Sequence, residues 1–471
     1  MNRVFIIFMG MLTIFGTAVL AGCSGSNDSE NDQGDTDSDT SSGTDTYRDT
    51  DLDVDSDSDS GSDSDSNPDS DSDTVPPTVS DCNDGIDNDS DGYTDWQNDL
   101  GCANADDDET SGSREMEEGF TTFDIGADST VIYVSSTDGD DDNDGLTPDT
   151  PVKTIAKGAS LVTDGHNDFI LLKRGDVWRG ESLGRFLSGQ DAEHPMVIAS
   201  YGDSTELPRV ELDNNFIDHN GQARSFVSIV GLELVAYPKI VGDDNYDGST
   251  GGGFRYVGGG SDLLIEGCRL THCELTVQSY DVNHYENVEV RRNVIEMNYH
   301  IDTCGQNATY RPSGMYTSHV DGLLIEDNIF DHNGWNEDVA SACATMYNHN
   351  MYLNADNLVI RGNIIARASS MGIKMRSDIT GDCDTLLFEN NFFVDGEIGL
   401  GIGGNTEEPG RFSNVTIKDN IFSQIGLNNP TDRNFSWMLD MADIDTALNS
   451  ITLIQDQINR CTCGEMRFGS R

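Results

Sequence analysis

The sequence predicts an all-β solenoid of stacked parallel coils, a parallel β-helix, on three observations. A seven-residue phrase recurs as Leu324-Ile325-Glu326-Asp327-Asn328-Ile329-Phe330, Val359-Ile360-Arg361-Gly362-Asn363-Ile364-Ile365, Leu387-Phe388-Glu389-Asn390-Asn391-Phe392-Phe393 and Thr416-Ile417-Lys418-Asp419-Asn420-Ile421-Phe422. Its asparagines, counted from Asn293 of an earlier copy, fall at 293, 328, 363, 391 and 420, hence 35, 35, 28 and 29 residues apart. A second apolar alternation precedes the phrase, as in Gly314-Met315-Tyr316-Thr317-Ser318 and Gly372-Ile373-Lys374-Met375-Arg376. β-Branched runs at such periods, broken by Gly and Asn turns, denote units that bury their apolar faces only against their neighbours.

The asparagine recurs at one turn of every coil, where its amide can satisfy backbone groups and stack as a hydrogen-bonded ladder. Leu264-Ile265-Glu266-Gly267-Cys268-Arg269-Leu270 fits the frame with Cys268 in place of Asn, and Leu232 extends it upstream. The Leu-x-x-Leu-x-Leu spacing of a leucine-rich repeat is missing.

Composition narrows the partners. The net charge is -58 over 471 residues, and roughly half of it precedes residue 111, so it describes a tail more than a fold. A chain of pI ≈ 4.1 offers little to neutralise phosphates, which excludes nucleic acid as a partner. A polyanionic substrate would need a local basic groove.

In chain order, Arg3 and the apolar run from Val4 to Leu20 form an export signal over residues 1–22. Leu20-Ala21-Gly22-Cys23 resembles the lipobox of bacterial lipoproteins, which implies acylation of Cys23, a lipid anchor as the only membrane contact and, with Ser24 next, an outer-membrane or cell-surface location. An ordinary signal peptide or a transmembrane anchor is the alternative. Residues 23–80 are Asp, Ser and Gly with almost no apolar side chains, a composition that predicts a disordered acidic linker. Export makes the remaining cysteines candidates for disulfides.

Residues 81–112 form a small module. Asp87, Asp89 and Asp91 alternate ahead of Gly92, with Asp95 following, and carboxylates at steps of two converge on a hard cation such as Ca²⁺. Asn98 replaces the bidentate Glu of an EF-hand, and the loop resembles the calcium loops of thrombospondin type 3 repeats. Cys82 and Cys102 bracket it as an expected disulfide.

The main domain is expected over 131–440. Val131-Ile132-Tyr133-Val134, the Asn143-Asp144-Gly145 turn and Lys153-Thr154-Ile155 resemble the N-terminal signature of secreted right-handed parallel β-helix proteins of the pectate-lyase-like superfamily. The resemblance implies a strand, a turn and a short helix capping the open end of the solenoid, and it implies action on polysaccharides. The calcium-binding aspartate cluster common in related lyases has no counterpart near Lys374.

If Met315, Met351, Leu353, Ile373, Met375, Leu400 and Ile402 point inward, alternation sends Tyr316, Tyr352, Lys374, Arg376, Gly401 and Gly403 outward. Such a stripe suits an acidic polysaccharide cleaved by β-elimination, which needs a cation for the carboxylate, a base for the C5 proton and an acid for the leaving oxygen. Arg376 fits the first role. Lys374 or Tyr352 fits the base if a neighbouring cation lowers its pKa, and His349 is a further candidate base. Tyr316, Asn350 and Arg311 are expected to bind substrate, and the bare glycines to leave floor for a sugar ring. Segments 297–312 and 331–348 are expected to wall the groove, tied through Cys304 and Cys343. Hydrolysis by paired carboxylates, or a non-catalytic adhesin that only binds glycan or protein, are the alternative functions.

Residues 441–471 lack the Asn turn, and Cys461-Thr462-Cys463 fits no solenoid cap. A chain that stops short of its final coil is the expectation there.

Overall fold

The computed structural model describes residues 121–469 and the short strand Val4–Ile6, apart from a few single positions and the segments 280–283, 306–309, 378–382, 404–409, 443–450, 455–456 and 460–464. They belong to one compact unit, 1–14 with 79–471; the other unit, 15–78, lies outside the described residues. So do Cys23, the acidic linker, and the module carrying Cys82, Asp87, Asp89, Asp91, Asp95 and Cys102.

Each coil contributes three strands, seen in Ser313–Ser318, Val320–Glu326 and Ile329–Asp331, then again in His349–Leu353, Ala355–Arg361 and Ile364–Ala366. Equivalent strands of successive coils pair in parallel. Three sheets result. The first has twelve strands and contains Val320–Glu326, the second has ten and contains Ile329–Asp331, and the third has nine and contains Ser313–Ser318. The molecule is a right-handed parallel β-helix. Strands Ile451–Ile454, Gln457–Asn459 and Glu465–Gly469 add a coil beyond residue 440, and Val4–Ile6 pairs antiparallel with the first of them.

Period-two alternation fills the interior. Leu323, Ile325 and Phe330 are buried, as are Met315, Met351, Leu353, Ile373, Met375, Leu400 and Ile402, all in one continuous core. The turn between the first and second sheets is tight because the residue before each ladder asparagine is left-handed: Arg292, Asp327, Gly362, Asn390 and Asp419 have φ of 54°, 55°, 68°, 55° and 56°. Asp, Asn and Gly tolerate this conformation best.

The asparagine ladder forms as expected. The Asn328 amide donates to Asn363 Oδ1 at 2.9 Å, Asn363 to Asn391 Oδ1 at 2.9 Å, and Asn391 to Asn420 Oδ1 at 3.0 Å. The same oxygens accept backbone N–H groups, and Asn363 Nδ2 also donates to Ile325 O at 2.9 Å. These atoms are buried, so each unmade bond would carry a desolvation penalty of roughly 1–3 kcal/mol. At the top of the ladder Cys268 N donates to Asn293 Oδ1 at 2.8 Å, and its thiol reaches Glu266 O at 3.3 Å and Ile229 O at 3.8 Å.

Beside the ladder the first sheet carries alternating charge on its outer surface. Glu266, Arg291, Glu326, Arg361, Glu389 and Lys418 occupy one register across six coils. Arg291 pairs with Glu266 at 3.0 Å, Arg361 with Glu326 at 2.5 Å and Lys418 with Glu389 at 2.6 Å.

The N-terminal end is closed by the short helix Ile155–Ala159, capped by the Thr154 hydroxyl, which accepts from Lys157 N at 3.1 Å. Ile155 and Val152 join the core. Gly158 lets the helix approach: a Cβ there would lie 2.8 Å from Val134 Cγ2.

The connections from the second sheet to the third differ in length. Between residues 294 and 442, segments 297–312, 332–348 and 424–436 are long, whereas 367–370 and 395–397 are short. The long ones rise on one side of the solenoid, with two bare coils between the second and the third.

Candidate functional site

The outer surface of the third sheet lies beside those long connections, and one register runs across it. Tyr316 neighbours Tyr352, Tyr352 neighbours Lys374, Lys374 neighbours Gly401, and Gly401 neighbours Asp440. Tyr316, Tyr352 and Lys374 point away from the core and stay partly exposed. The two tyrosine rings stack at 5.6 Å between centroids and 11° between planes, and the His349 ring stacks on Tyr352 at 5.5 Å and 25°. Two adjacent strands thus present stacked rings beside a lysine on the third.

Cations gather around His349. Burial pushes its imidazole well below the ordinary value, and Lys374, Arg433, Arg311 and Arg376 push it further in the same direction. The ring is therefore neutral at pH 7. Met371 N donates to its Nδ1 at 3.4 Å, which places the ring proton on Nε2. His349 is thereby a hydrogen-bond donor with no lone pair left for the C5 proton, which sets it apart from the base expected of it.

Tyr352 also departs from expectation. Burial raises its phenol above the ordinary value, and the opposing charge and hydrogen bond of Arg376 do not reverse this. At neutral pH it carries its proton and suits an acid better than a base. Lys374 Nζ donates to Gly403 O at 3.0 Å, which holds the ammonium over the strand following its own.

Asn350 is fully buried, and its side chain belongs to the scaffold. It ends a second ladder, in which Asn298 N donates to Asn333 Oδ1 at 3.0 Å and Asn333 Nδ2 to Asn350 Oδ1 at 3.0 Å, while Asn350 Nδ2 donates to Ala366 O at 2.7 Å. No polar atom of that amide is left to meet substrate. Gly401 does not leave bare floor either: a Cβ there would lie 2.4 Å from Met371 Sδ, so the missing side chain makes room for Met371.

Arg311 stands on the first long connection, exposed, with its guanidinium 4.3 Å from the centre of the Tyr347 ring on the second. The Cys304–Cys343 disulfide joins these two connections, its Cα atoms 4.9 Å apart. Thr303 reinforces the link, donating from N to Ser341 O at 3.1 Å and from its hydroxyl to Cys343 O at 2.9 Å.

Several residues enter the site without having been picked from the sequence. Glu397 is fully buried and pairs with Arg433, which reaches in from segment 424–436 and donates to Ser370 Oγ at 2.6 Å. A buried ion pair of this kind fixes the long segment onto the short turns 367–370 and 395–397. Asp440 is buried in the Tyr316 register, between Gly401 and Arg467. The signal for Asp440 was present, because Leu439 aligns with Leu400 and the alternation then sends Asp440 outward. Glu397 had no such signal, since its partner lies 36 residues downstream on a non-repeating segment. Among the described residues, no group of three His, Cys, Asp or Glu side chains is placed to hold a metal ion.

Comparison with known proteins adds a short stretch of likeness. No family model matches the chain. A lacto-N-biosidase of Bifidobacterium longum subsp. longum is 32% identical over 95 residues, 20% of this chain. The match spans 6% of that relative's length. Among solved structures, a GH136 lacto-N-biosidase from Eubacterium ramulus is similar over 70% of this chain and 67% of its own, at 15% identity and TM-score 0.37. An alginate lyase from Paenibacillus sp. is similar over 73% and 99%, at 10% identity and TM-score 0.34. A pectate lyase is similar over 71% and 79%, at 14% identity and TM-score 0.31. Similarity at this level assigns no activity.

Proposed function

We propose that this protein binds an acidic glycan along the Tyr316–Tyr352–Lys374 register and cleaves it by β-elimination. The observation that carries the reading is Lys374 in one register with the stacked rings of Tyr316 and Tyr352, with Arg376 hydrogen-bonded to Tyr352, in a chain whose net charge is -58. A basic patch in so acidic a molecule concentrates an anionic substrate at one place.

In this reading Arg376 and Arg311 neutralise the uronate carboxylate, which acidifies the C5 proton. Lys374, in its unprotonated form, takes that proton. The C5 electron pair forms the C4–C5 double bond as the C4–O bond breaks, and Tyr352 protonates the departing oxygen. Tyr316 and Tyr352 offer stacked rings against which sugar faces pack, and His349 donates from Nε2. The protein acts at the cell surface, tethered by lipid on Cys23 through the acidic linker, with Ca²⁺ held by Asp87, Asp89, Asp91 and Asp95 in the intervening module.

A hydrolytic reading is favoured by one structural observation, the carboxyl group of Asp440 in the same register as Lys374, and by the name of the curated relative. Incubating the protein with alginate, polygalacturonate, glucuronan and a neutral oligosaccharide panel separates the readings. Elimination yields unsaturated, ultraviolet-absorbing ends that vanish in K374M and Y352F. New reducing ends without unsaturation, abolished by D440N, would replace elimination by hydrolysis. Binding with no cleavage of any substrate would make the protein an adhesin.

A further inference from the structure

A second concave site lies off the cationic register. A cavity of about 480 Å³ opens between segments 332–348 and 424–436, over the short turns that follow the second sheet, and none of its lining residues belongs to the Tyr316 register. That volume accommodates one or two sugar rings. Trp335 is its half-buried wall, with its ring 4.5 Å from that of His332 and its indole N–H donating to Arg367 O at 3.2 Å. The polar edge of the indole is thereby fixed to the scaffold.

Polar groups in the wall are incompletely matched. His332 is 2% exposed, and although its Nε2 lies 2.8 Å from the Glu337 carboxylate, neither ring nitrogen has a hydrogen-bond partner among the described residues. Burial above all holds the imidazole below its ordinary value. A neutral ring carries one acceptor nitrogen in either tautomer, and an acceptor buried without a donor is costly. Asn429 Oδ1 is a second buried acceptor without a partner among the described residues, although its Nδ2 donates to Gly426 O at 3.1 Å. Both atoms call for an O–H or N–H donor from outside.

The charge differs in sign from the cationic site. Glu337 and Asp395 line the cavity, and Arg367, its one basic lining residue, is held by Asp331 through a two-pronged contact of 2.8 and 2.5 Å. Asp395 accepts from Asn428 N at 2.9 Å, which ties segment 424–436 to the rim. An anion gains nothing here, whereas hydroxyls can donate to the acceptor nitrogen of His332, Asn429 Oδ1 and the carboxylates.

We propose that this cavity binds an uncharged saccharide, one ring packed on Trp335 with its hydroxyls donating to His332 and Asn429, as a site separate from the cationic register. Calorimetric titration of the full chain with lactose, cellobiose, N,N′-diacetylchitobiose and digalacturonate tests it. At least one neutral disaccharide binds with a dissociation constant of about 1 mM or below, and W335A and N429A each weaken it about tenfold. K374M leaves that binding unchanged. Thermal melts identify a variant that fails to fold, and E337A, at an exposed position, then carries the test, because it removes a carboxylate acceptor from the cavity wall and weakens binding. The proposal is overturned if no neutral disaccharide binds at about 10 mM, if folded W335A and N429A bind as the wild type does, or if binding disappears in K374M. The last outcome would assign the ligand to the cationic register and leave elimination there still to be judged by its own products.

Discussion

Two columns of side chains run across the same coils and obey opposite rules. In the ladder column, Asn293, Asn328, Asn363, Asn391 and Asn420 repeat one residue, each satisfying the next. In the third-sheet column, Tyr316, Tyr352, Lys374, Gly401 and Asp440 are each different in chemistry from most of their neighbours. A stacked coil needs the same turn solved the same way every time, so sameness marks scaffold. Catalysis needs unlike groups a few ångströms apart, so difference within a fixed register marks chemistry.

The sharpest way to break this contrast is K374M. Loss of about 10³-fold in cleavage rate is expected, near the middle of what a proton-transfer group contributes, with the melting temperature unchanged. Uronate cleavage retained in K374M would remove the distinction between the columns. N363A should do the reverse: it strands buried N–H and C=O groups on two neighbouring coils and costs about 3 kcal/mol in urea unfolding. Cleavage per folded molecule should hardly change.

Acid probes the same contrast. His219, in the scaffold, is held by burial at about 3 against its ordinary 6.5, and His349, in the site, is also depressed. Because the unfolded chain then takes up protons before the folded one, the stability they lend is whole above about pH 6.5 and declines as pH falls below it. The slope is about 1.4 kcal/mol per pH unit for each such group. Urea midpoints between pH 7 and 4 check this, and H219F should flatten the curve while leaving the pH profile of cleavage alone. A curve as steep in H219F as in the wild type would exclude His219 as its source. The smallest effect on substrate handling belongs to C304S/C343S. Its disulfide ties two surface segments beside the site, so substrate affinity should fall by about 1 kcal/mol, while loss of a cross-link between residues 39 apart should lower the unfolding free energy by about 2–4 kcal/mol.

The fold was legible because its signal is periodic: the asparagine spacing and the inward Met, Leu and Ile alternation required no knowledge of partners. The outward positions of Tyr316, Tyr352, Lys374 and Arg376 followed from the same alternation. What one strand cannot reveal is what covers it. Asn350 read as a groove residue because its ladder partners, Asn298 and Asn333, are separated from it by unequal intervals of chain that include a long connection. Gly401 read as open floor because Met371 comes from the adjacent coil. The Tyr352 phenol depends on a balance between burial and the charges of Arg376 and Arg311, and the His349 ring on burial and four cations acting together, and burial is not encoded in the alternation. Glu397 with Arg433, and the Trp335 cavity, are assembled by segments outside the repeat, where periodicity is silent.

The alternating charges on the first sheet constrain how such a molecule can change its length. Because Glu266, Arg291, Glu326, Arg361, Glu389 and Lys418 alternate over six coils, excising the single coil that carries Arg291, Glu326, Arg361 or Glu389 sets glutamate against glutamate or base against base across the new junction. Like charges directly opposed in neighbouring strands are destabilising by a few tenths of a kcal/mol or more. Removing two consecutive coils restores the opposite-sign pairing. Within these six coils, a variant lacking two neighbouring coils should therefore keep its cross-strand charge pairing, whereas one lacking a single coil should lose it.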